Sequence, residues 1–425
     1  MTKPTTTQNN TATVGAQFIA PEASPEHGQK GGVSGWREYE LQELVDVRDG
    51  THDSPKESAI GKHLVTSKHI KNGKIDLTSA YKISENDFEL VNKRSKVDQW
   101  DILFSMIGTI GEMAIVTDRP EFAIKNVGLF KTNGNKLLSQ WIYYYFKSTE
   151  AQAEIQASLK GSTQQYITLG DLRVFPIKIP SEKEQKAIAA MLSSLDDKID
   201  LLHRQNQTLE AMAQTLFRQW FVEEAREDWE EVALGDLISI KGGTTPSTKE
   251  PKFWNGSICW TSPRDLSAHS SVYMFDTERK ITEEGLSQIG SGLLPIGTVL
   301  LSSRAPIGYL AIAEIPLAIN QGYIAIICDK TVSNLYMFLW CKENMETIKN
   351  AGNGSTFEEI SKSNFRDLLT KKPPKSLLLD FDTKVFPIFK RIKTNQQQIQ
   401  TLTQLRDTLL TKLMSGEIRV EVEYE

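Results

Sequence analysis

Residues 188–220 read IAAMLSSLDDKIDLLHRQNQTLEAMAQTLFRQW, and apolar side chains recur along them at alternating steps of four and three. This heptad spacing is typical of an α-helix that packs along a second helix. The predicted seam of that contact contains Leu195, Ile199, Leu202, Asn206, Leu209 and Leu216. The stretch therefore predicts a long helix with a partner.

The same pattern occurs near the end of the chain, between residues 381 and 413. Here the predicted seam contains Ile388, Ile392, Asn395, Ile399, Leu402 and Leu409. Asn206 and Asn395 both fall on the seam, where a buried Asn can fix the register of two helices at a cost in stability. The two stretches predict a pair of helices, each about 55–60 Å long at 1.5 Å per residue. The alternative is that each helix packs only on its own domain.

The segments before the two helices also repeat. Trp36 begins WREYELQEL and Trp229 begins WEEVALGDL, an offset of 193 residues, and Gly50-Thr51 matches Gly243-Thr244 at that same offset. A Gly-Ser-Thr triplet occurs at 161–163 and again at 354–356. A repeat this long exceeds a solenoid unit and indicates two copies of one domain. The alternative is a duplicated fold whose function has diverged or been lost.

Each copy begins with short apolar runs separated by Gly, Pro, Asn and Ser, which are typical of a strand-rich α+β domain. One helix is predicted over 138–159 and its counterpart over 335–351. The predicted fold is α+β, with two similar mixed α/β domains separated by a pair of long antiparallel coiled-coil helices and related by a pseudo-twofold axis. The predicted segments are a disordered tail (1–35), a first domain (36–180), a first long helix (181–222), a second domain (229–376) and a second long helix (377–416).

The composition is that of an ordinary globular chain with a formal net charge of −5. The acidic excess is local, because residues 182–231 hold 12 acidic and 6 basic side chains, so the domains can still expose basic surfaces. The three cysteines show no CxxC spacing, which indicates neither a disulfide framework nor a zinc site. No secretory signal or membrane span is found, so we expect a cytoplasmic protein without membrane contact.

Motifs for catalysis are not found in the sequence. It has no GxxxxGK[ST] phosphate loop, no HExxH zinc motif and no Pro-Pro-aromatic loop, since Pro373-Pro374 is followed by Lys375. We therefore predict no catalytic residue, no metal and no cofactor on this chain. His52 and His69 are interpreted as surface loop residues, and Asp196-Asp197 as a solvated pair on the outer face of the first long helix. The aromatic cluster Trp141, Tyr143, Tyr144 and Tyr145 is interpreted as core.

The order domain, helix, domain, helix has a consequence for binding. If the helices pair antiparallel, the two domains lie at opposite ends of a rigid rod and present two similar surfaces at a fixed separation. A duplex with two half-sites about a helical turn or more apart fits that geometry. Because the domains differ in sequence, the half-sites should differ as well.

Candidate DNA contacts are loop residues with cationic, amide, imidazole or hydroxyl side chains. In the first domain they are Arg48, Thr51, His52, Lys68, Lys71, Asn72, Lys93, Arg94 and Lys96; in the second they are Lys241, Thr244, Thr245, Arg264, Arg304, Asn320 and Gln321. Lys68 in TSKHI and Arg264 in SPRDL fall at equivalent points of the repeat, which suggests a shared contact to the DNA backbone. For each candidate the alternative is a solvated loop charge, and Asn320 and Gln321 could equally stabilise a turn.

Several motifs, in this order, resemble one known family. The second copy contains GTTPS at 243–247, FWNG at 253–256, SSRAPIG at 302–308 and AINQG at 318–322, and the chain ends with LLTKLMSGEI at 409–418. Together with the duplication and the heptad helices, these motifs resemble the specificity subunit of type I restriction–modification enzymes, over nearly the whole chain from Trp36 to about Val420. The first copy departs from the pattern, because it has Ile107 where the second has Arg304. A basic contact at that point is therefore not expected in the first domain.

The resemblance implies a non-catalytic function. Each domain would be a target recognition domain that reads one half of a split, asymmetric sequence in double-stranded DNA. The helices would dock two modification subunits, which bind S-adenosylmethionine and methylate adenine N6. A restriction subunit, a translocating nuclease that uses ATP and Mg, would join them. Two other functions stay open: a self-contained DNA methyltransferase with an unrecognised site, and a coiled-coil scaffold whose domains bind protein.

Overall fold

The computed structural model describes residues 35–267, 271–353 and 358–420. The segment 1–34, which falls in the predicted disordered tail, and the triplet at 354–356 lie outside the described residues. The described chain forms a first lobe (37–179), a second lobe (231–371) and two long helices, one after each lobe.

The first lobe and its long helix contain the following elements. The strands are β1 (Arg37–Glu40), β2 (Asp46–Asp49), β3 (Lys62–Val65), β4 (Ile70–Lys71), β5 (Lys74–Ile75), β6 (Lys82–Ile83), β7 (Ile102–Ser105), β8 (Met113–Ile115), β9 (Phe122–Ile124), β10 (Val127–Lys131) and β11 (Pro176–Ile179). The helices are α1 (Leu41–Leu44), α2 (Glu85–Ser95), α3 (Lys136–Phe146), α4 (Thr149–Ala157), α5 (Leu169–Arg173) and the long α6 (Glu182–Arg218), with a 3-10 turn at Ser67–His69 and a π-helical turn at Gln219–Glu223.

The second lobe and its long helix follow the same plan. The strands are β12 (Glu231–Ala233), β13 (Ser239–Lys241), β14 (Trp254–Thr261), β15 (Tyr273–Met274), β16 (Arg279–Ile281), β17 (Val299–Ser302), β18 (Leu310–Ala313), β19 (Leu317–Ile319), β20 (Tyr323–Ile327) and β21 (Leu369–Lys371). The helices are α7 (Leu234–Leu237), α8 (Pro263–Ser267), α9 (Glu283–Ser287), α10 (Asn334–Glu343), α11 (Met345–Asn350), α12 (Lys362–Arg366) and the long α13 (Lys375–Met414), with a 3-10 turn at Pro251–Phe253.

The two lobes share one topology. The main sheet has strand order β2-β10-β7-β8 in the first lobe and β13-β20-β17-β18-β15 in the second. The smaller sheets are β6-β3-β9 and β16-β14-β19, in which β3 and β14 pair parallel with their last neighbour. The central strands β7 (ILFS) and β17 (VLLS) are buried along their whole length, which explains their unbroken apolar runs. The predicted duplication of a mixed α/β domain is confirmed, and β15 adds a fifth strand to the main sheet of the second lobe.

The helices α6 and α13 pack against each other and run antiparallel. The Asn395 side-chain amide donates a hydrogen bond to Asn206 at 2.9 Å. Nearer one end, the Phe217 and Phe381 rings lie 6.0 Å apart, centroid to centroid. Residue numbers therefore rise along one helix as they fall along the other, and the predicted antiparallel pair is confirmed.

Both helices contribute to the core of each lobe. The core of the first lobe includes Ile188 and Leu192 from α6 with Leu410, Leu413 and Met414 from α13. The core of the second includes Ala213 and Phe217 from α6 with Phe381, Val385, Phe389 and Ile392 from α13. Burial of one large apolar side chain contributes about 1.5–3 kcal/mol, so each lobe is fixed to the helix pair by several such contributions. The helices therefore pair with each other and also pack on the lobes, so the two predicted alternatives occur together.

The buried face of the pair matches the predicted seam in part, because five predicted residues are buried: Ile199, Leu202, Asn206, Ile392 and Asn395. Three predicted residues are only half-buried and belong to none of the apolar core clusters of the described chain: Leu195, Ile399 and Leu402. Near the second lobe, Phe217 and Phe389 are fully buried, each one residue after the predicted Leu216 and Ile388, which are half-buried. A helix with 3.6 residues per turn drifts away from a 3.5-residue repeat, and the ends of these helices face a lobe as well as their partner helix.

The predicted helices over 138–159 and 335–351 are each divided in two. In the first lobe α3 ends at Phe146, and the Ser148 hydroxyl accepts a 3.2 Å hydrogen bond from the Ala151 N–H at the start of α4. A serine that caps a new helix favours such a break. In the second lobe the break between α10 and α11 lies at Asn344. The interpretation of the aromatic cluster around Trp141 as core is confirmed, because all four side chains are buried.

Asp196 is not a solvated residue of the outer helix face. Its carboxylate accepts hydrogen bonds from the Tyr144 hydroxyl at 2.9 Å and from the Arg406 guanidinium at 2.8 Å. It thus links α6 to α3 of the first lobe and to α13. The prediction fails because a polar residue on a helix is solvated only if no neighbour covers it, and both neighbours here are distant in sequence.

Candidate nucleic-acid interface

Three loops of each lobe meet at one edge of the smaller sheet. In the first lobe, the first loop follows β2, the second follows β3 and the third connects β9 to β10. The Thr51 N–H donates to the Ile124 carbonyl at 3.0 Å and the Ser67 hydroxyl to the Asn126 carbonyl at 3.4 Å. In the second lobe the Thr244 N–H donates to the Ile319 carbonyl at 3.1 Å. The duplicated fold thus builds the same loop edge twice.

In each lobe a glycine allows the loop after β2 or β13 to approach the loop that connects β9 to β10 or β19 to β20. A Cβ atom on Gly50 would lie 2.5 Å from the Ile124 carbonyl oxygen, and one on Gly243 would lie 1.8 Å from that of Ile319. No side chain fits at these distances. The repeated Gly-Thr pair therefore marks a backbone contact that each lobe requires, with Thr51 and Thr244 placed beside it.

The turn after β3 presents Lys68. The Thr66 N–H donates to Nδ1 of His69 at 2.9 Å, which closes the turn. His69 is fully buried and its Nε2 has no hydrogen-bond partner within the described chain, so its interpretation as a surface residue is wrong. Burial, together with the nearby positive charge of Lys68, lowers the pKa of His69 from its usual value of 6.5.

The second lobe builds this turn from other residues. The Ser262 N–H donates to the Asp265 carboxylate at 2.8 Å, and Arg264 precedes Asp265 as Lys68 precedes its histidine. Both cations lie three residues after the last parallel strand pair, so their equivalence in the repeat holds in three dimensions. Both side chains are exposed, and neither forms an ion pair with another described residue.

His52 lies between the first and third loops of the first lobe. Its Nδ1 is 2.8 Å from the Asn126 amide oxygen, and its Nε2 is 2.9 Å from the Asp49 carboxylate. The Arg94 guanidinium binds the same carboxylate, which is nearly buried. The charge of Arg94 is therefore partly neutralised at this edge, whereas that of Lys68 is not.

The remaining candidates of the first lobe are more dispersed. Arg48 pairs with Asp46 at 2.6 Å and Lys96 with Asp98 at 3.0 Å, so both cations have a carboxylate partner. Three others are exposed on the β4–β5 turn or near the end of α2: Lys71, Asn72 and Lys93. The structure brings Thr51, His52 and Lys68 to the loop edge and leaves these three outside the contacts that define it.

In the second lobe, two amide candidates have partners within the loop edge. The Thr245 hydroxyl donates to the Gln321 amide oxygen at 2.7 Å. The Asn320 side chain accepts the Gly322 N–H at 2.9 Å, so it stabilises a turn, as the alternative interpretation proposed. Gln321 is exposed and keeps its amide NH₂ free of partners among the described residues.

Arg304 of the second lobe occupies the position of Ile107 in the first lobe. Each forms an isolated bridge to a later segment, Ile107 to Tyr166 and Arg304 to Glu359. The Arg304 guanidinium also lies 3.5 Å from the Glu359 carboxylate. Lys241, the last candidate, is exposed at the end of β13, with its ammonium 3.4 Å from the Ser291 carbonyl.

Sequence reasoning does not single out Lys125 and Asn126, which form the third loop of the first lobe. The Lys125 ammonium donates to the Ser54 hydroxyl, and Asn126 contacts His52 with a backbone φ of 52°. The signal was the AIKNVG segment, whose counterpart AINQG supplied two candidates. Ile124 and Ile319 both end the last strand of the smaller sheet, so Lys125 and Asn126 occupy the places of Asn320 and Gln321.

The loop edge offers contacts rather than reactive groups. Within the described residues, no group of three or more His, Cys, Asp or Glu side chains is placed to hold a metal ion. Exposed cations, hydroxyls and amides are the groups that contact phosphates and base edges.

Comparison with known proteins decides the family. The model described as "Type I restriction modification DNA specificity domain" matches residues 33–211 and again 226–413. The chain belongs to this family. As a specificity subunit it is the non-catalytic DNA-recognition component of a type I restriction–modification system. Its partners are accordingly DNA and other subunits of such a system.

Known specificity subunits align with most of the chain. The putative MjaX specificity subunit of Methanocaldococcus jannaschii is 25% identical over 414 residues, covering 91% of this chain and 94% of that one. The HindI specificity subunit of Haemophilus influenzae is 23% identical over 405 residues, covering 76% and 88%. The M. jannaschii MjaIX specificity subunit is 38% identical over 157 residues, and that alignment covers 36% of each chain.

A solved structure shares the fold of this specificity subunit. The crystal structure of the type I restriction–modification S subunit from M. genitalium aligns with a TM-score of 0.55 at 18% identity, covering 92% of this chain and 99% of that one. Two lobes and two long helices are therefore the fold of a specificity subunit. Among the described residues, no helix is both long and apolar enough to cross a lipid bilayer.

Proposed function

We propose that each lobe of the specificity subunit reads one half of a split, asymmetric DNA sequence, and that the helix pair sets the distance between the halves. The observation that carries this proposal is the loop edge, built twice on one topology and held at opposite ends of α6 and α13. Lys68 and Arg264 lie at equivalent, exposed positions of the two edges. Equivalent cations supply a backbone contact in each half-site.

The differences between the lobes support an asymmetric target. Where the first lobe has Ile107, the second has Arg304. The first loop edge contains a histidine bound to Asp49, whereas the second contains a Thr245–Gln321 pair. Side chains that differ in hydrogen-bonding groups select different base edges, so the two half-sites are different sequences.

The helix pair has the dimensions of a spacer. With 37 and 40 residues, α6 and α13 are about 55 and 60 Å long at 1.5 Å per residue. Two half-sites one to two turns of B-DNA apart lie at about 35–70 Å from centre to centre. Because each lobe buries side chains of both helices, this separation is a property of the packed structure.

We also propose that the helix pair docks two modification subunits. Several large apolar side chains remain exposed along the two helices, and in a free chain they would face water: Met191, Leu201, Met212, Leu379, Phe386 and Leu405. These exposed apolar side chains are available for contact with a protein partner. The pseudo-twofold relation of the helices offers two similar docking positions, one near each lobe.

The cofactors of the proposed complex belong to its other subunits. We propose that S-adenosylmethionine binds the modification subunits, which methylate adenine N6, and that ATP and Mg bind a restriction subunit. The complete assembly acts in the cytoplasm. The specificity subunit then directs both reactions through the DNA sequence that its lobes bind.

The experiment is to co-express the chain with its modification subunits and to map methylated adenines across the host genome. The proposal expects one split motif, with one modified adenine on each strand and a constant number of base pairs between the halves. Methylation by the purified chain alone would favour a self-contained methyltransferase instead. An absence of sequence-dependent, salt-sensitive duplex binding would favour a protein-binding scaffold.

A further inference from the structure

Gln396 of α13 is bonded at both ends of its side-chain amide to one residue of the second lobe. Its Oε1 accepts the Tyr273 N–H at 3.1 Å, and its Nε2 donates to the Tyr273 carbonyl. Gln396 is 3% exposed and Tyr273 is 5% exposed, so the contact is shielded from water. The amide makes the pair of hydrogen bonds that a neighbouring strand would make.

The position of β15 explains why Tyr273 needs this partner. As the edge strand of the main sheet, β15 pairs parallel with β18 through the carbonyls of Val272 and Met274. Successive residues of a strand direct their backbone groups to opposite sides, so those of Tyr273 face α13. A buried N–H or C=O without a partner is costly, and Gln396 satisfies both groups.

A second side chain of α13 holds the same edge of the lobe. The Lys393 ammonium lies 2.5 Å from the Glu314 carboxylate, in the connection that follows β18. Lys393 lies about one helical turn before Gln396. These two contacts occur near the middle of α13, next to Asn395, which meets α6.

Among the described residues, the first lobe contacts the middle of α6 in a different way, through an ion pair between Lys74 of β5 and Asp200. Its main sheet ends at β8 and lacks a strand in the place of β15. The counterpart of Gln396 at the 193-residue offset is His203, and Gln207, one helical turn further along α6, is exposed. Gln207 is therefore a glutamine near the middle of the helix pair that is exposed, and it serves as the control.

We propose that Gln396 is a positioning residue that fixes the angle of the second lobe on the helix pair, and thereby the number of base pairs between the two half-sites. This inference rests on the proposed function. The apolar core of the second lobe holds α13 from Phe381 to Ile392, and Gln396 lies about one helical turn beyond Ile392. Apolar packing is non-directional and allows small shifts of the lobe along the helix, whereas two directional hydrogen bonds at the end of that contact define a single angle.

The test uses the complex of the chain with its modification subunits and a series of duplexes that differ only in the number of base pairs between the half-sites. The wild type is expected to methylate one spacing far better than its neighbours. Gln396→Met keeps the length of the side chain and removes both hydrogen bonds. Two hydrogen bonds correspond to about a tenfold change in an equilibrium. We therefore expect methylation at one base pair more or less, relative to the preferred spacing, to rise about tenfold, and Gln207→Met to leave the profile unchanged.

The outcomes separate this inference from the proposed function. An unchanged profile in Gln396→Met, with a sharp wild-type preference, overturns the role of Gln396 and leaves the proposed function supported. A wild-type profile without any preferred spacing contradicts the proposed function. Full methylation at the preferred spacing by Gln396→Met shows that the variant folds, so a broader profile then reports lobe position.

A distance measurement decides the structural part independently of methylation. Spin labels are placed at Lys249→Cys in the second lobe and Gln398→Cys on α13, both exposed positions, with Cys259 and Cys328 replaced by serine. A distance distribution that broadens in Gln396→Met supports the positioning role. A distribution as narrow as that of the parent chain overturns it.

Discussion

Asn395 donates a 2.9 Å hydrogen bond from its side-chain amide to that of Asn206, close to the middle of the two antiparallel helices. Both residues are buried. At the 193-residue offset of the repeat, Asn395 corresponds to Leu202 and Asn206 to Ile399, so the bond lies about half a helical turn from the pseudo-twofold axis that relates the lobes. The Asn395 amide oxygen has no partner within the described residues. A polar pair of this kind contributes less stability than two leucines would, and its advantage is that one register satisfies it.

Leucine at both positions is therefore expected to preserve or raise stability, whereas leucine at one is expected to lower it. Asn395→Leu alone leaves the Asn206 amide buried without its partner, which costs about 1–3 kcal/mol. In the Asn206→Leu, Asn395→Leu double variant no unpaired amide remains. Denaturant unfolding of the four chains in a double-mutant cycle measures the coupling. Two single losses that simply add in the double variant would contradict the account.

Gly243 is expected to be intolerant of a side chain. Its Cβ would lie 1.8 Å from the Ile319 carbonyl oxygen, within a backbone contact that cannot move without breaking the loop edge. Gly243→Ala should destabilise the second lobe by about 2 kcal/mol or more. The control is Gly290→Ala, because that Cβ meets nothing within 4 Å. Thermal unfolding of both variants tests this, and equal melting temperatures would show that the loops yield easily.

The architecture could be predicted from the sequence because the sequence contains two copies of the same domain, each followed by a heptad helix. Heptad spacing identified both long helices, and the matched Gly-Thr pairs located the loop edge that Gly50 and Gly243 form. Such signals depend on period and order along the chain, which a sequence displays directly. The division of the predicted helix over 138–159 was missed because its break depends on one capping serine.

The polar contacts could not be predicted in the same way. Asp196, His69 and Gln396 each look like solvated residues when only their own segment is considered. Asp196 is covered by side chains distant in the chain, His69 is fully buried, and Gln396 meets an edge strand found only in the second lobe. The sequence shows the polarity of a residue, but its burial depends on neighbours that the fold brings in.

His69 is expected to make the first lobe sensitive to acid. Because burial lowers its folded pKa below the 6.5 of the free side chain, the folded state favours the neutral ring. The stability that this contributes is complete above pH 6.5 and is lost as the pH falls through the lowered folded value. His69→Asn retains a side-chain acceptor for the Thr66 N–H and does not titrate. Urea unfolding at pH 7.5 and pH 5.5 should therefore show a smaller acid loss in His69→Asn, and an identical loss in both chains would exclude His69 as a source.

Lys68 and Arg264 are expected to bind phosphates rather than bases. Each is exposed, free of ion pairs with other described residues and held at the same point of a closed turn, which is where a contact common to two different half-sites should lie. In the complex with modification subunits, Lys68→Ala or Arg264→Ala should weaken binding to cognate and non-cognate duplexes alike. Each lost phosphate contact should reduce the slope of log K against log salt by about 0.9.

The control for this prediction is Arg37→Ala. Arg37 is an exposed cation on β1, which pairs with β11 at the base of α6, away from the loop edge. It should leave both the affinity and the salt slope unchanged. If Lys68→Ala or Arg264→Ala instead relaxed the preference for one base pair and kept the slope, that residue would read sequence directly. If both variants bound like the wild type, the equivalent turns would carry solvated charges only, and the backbone contact of each lobe would have to come from other residues of the edge.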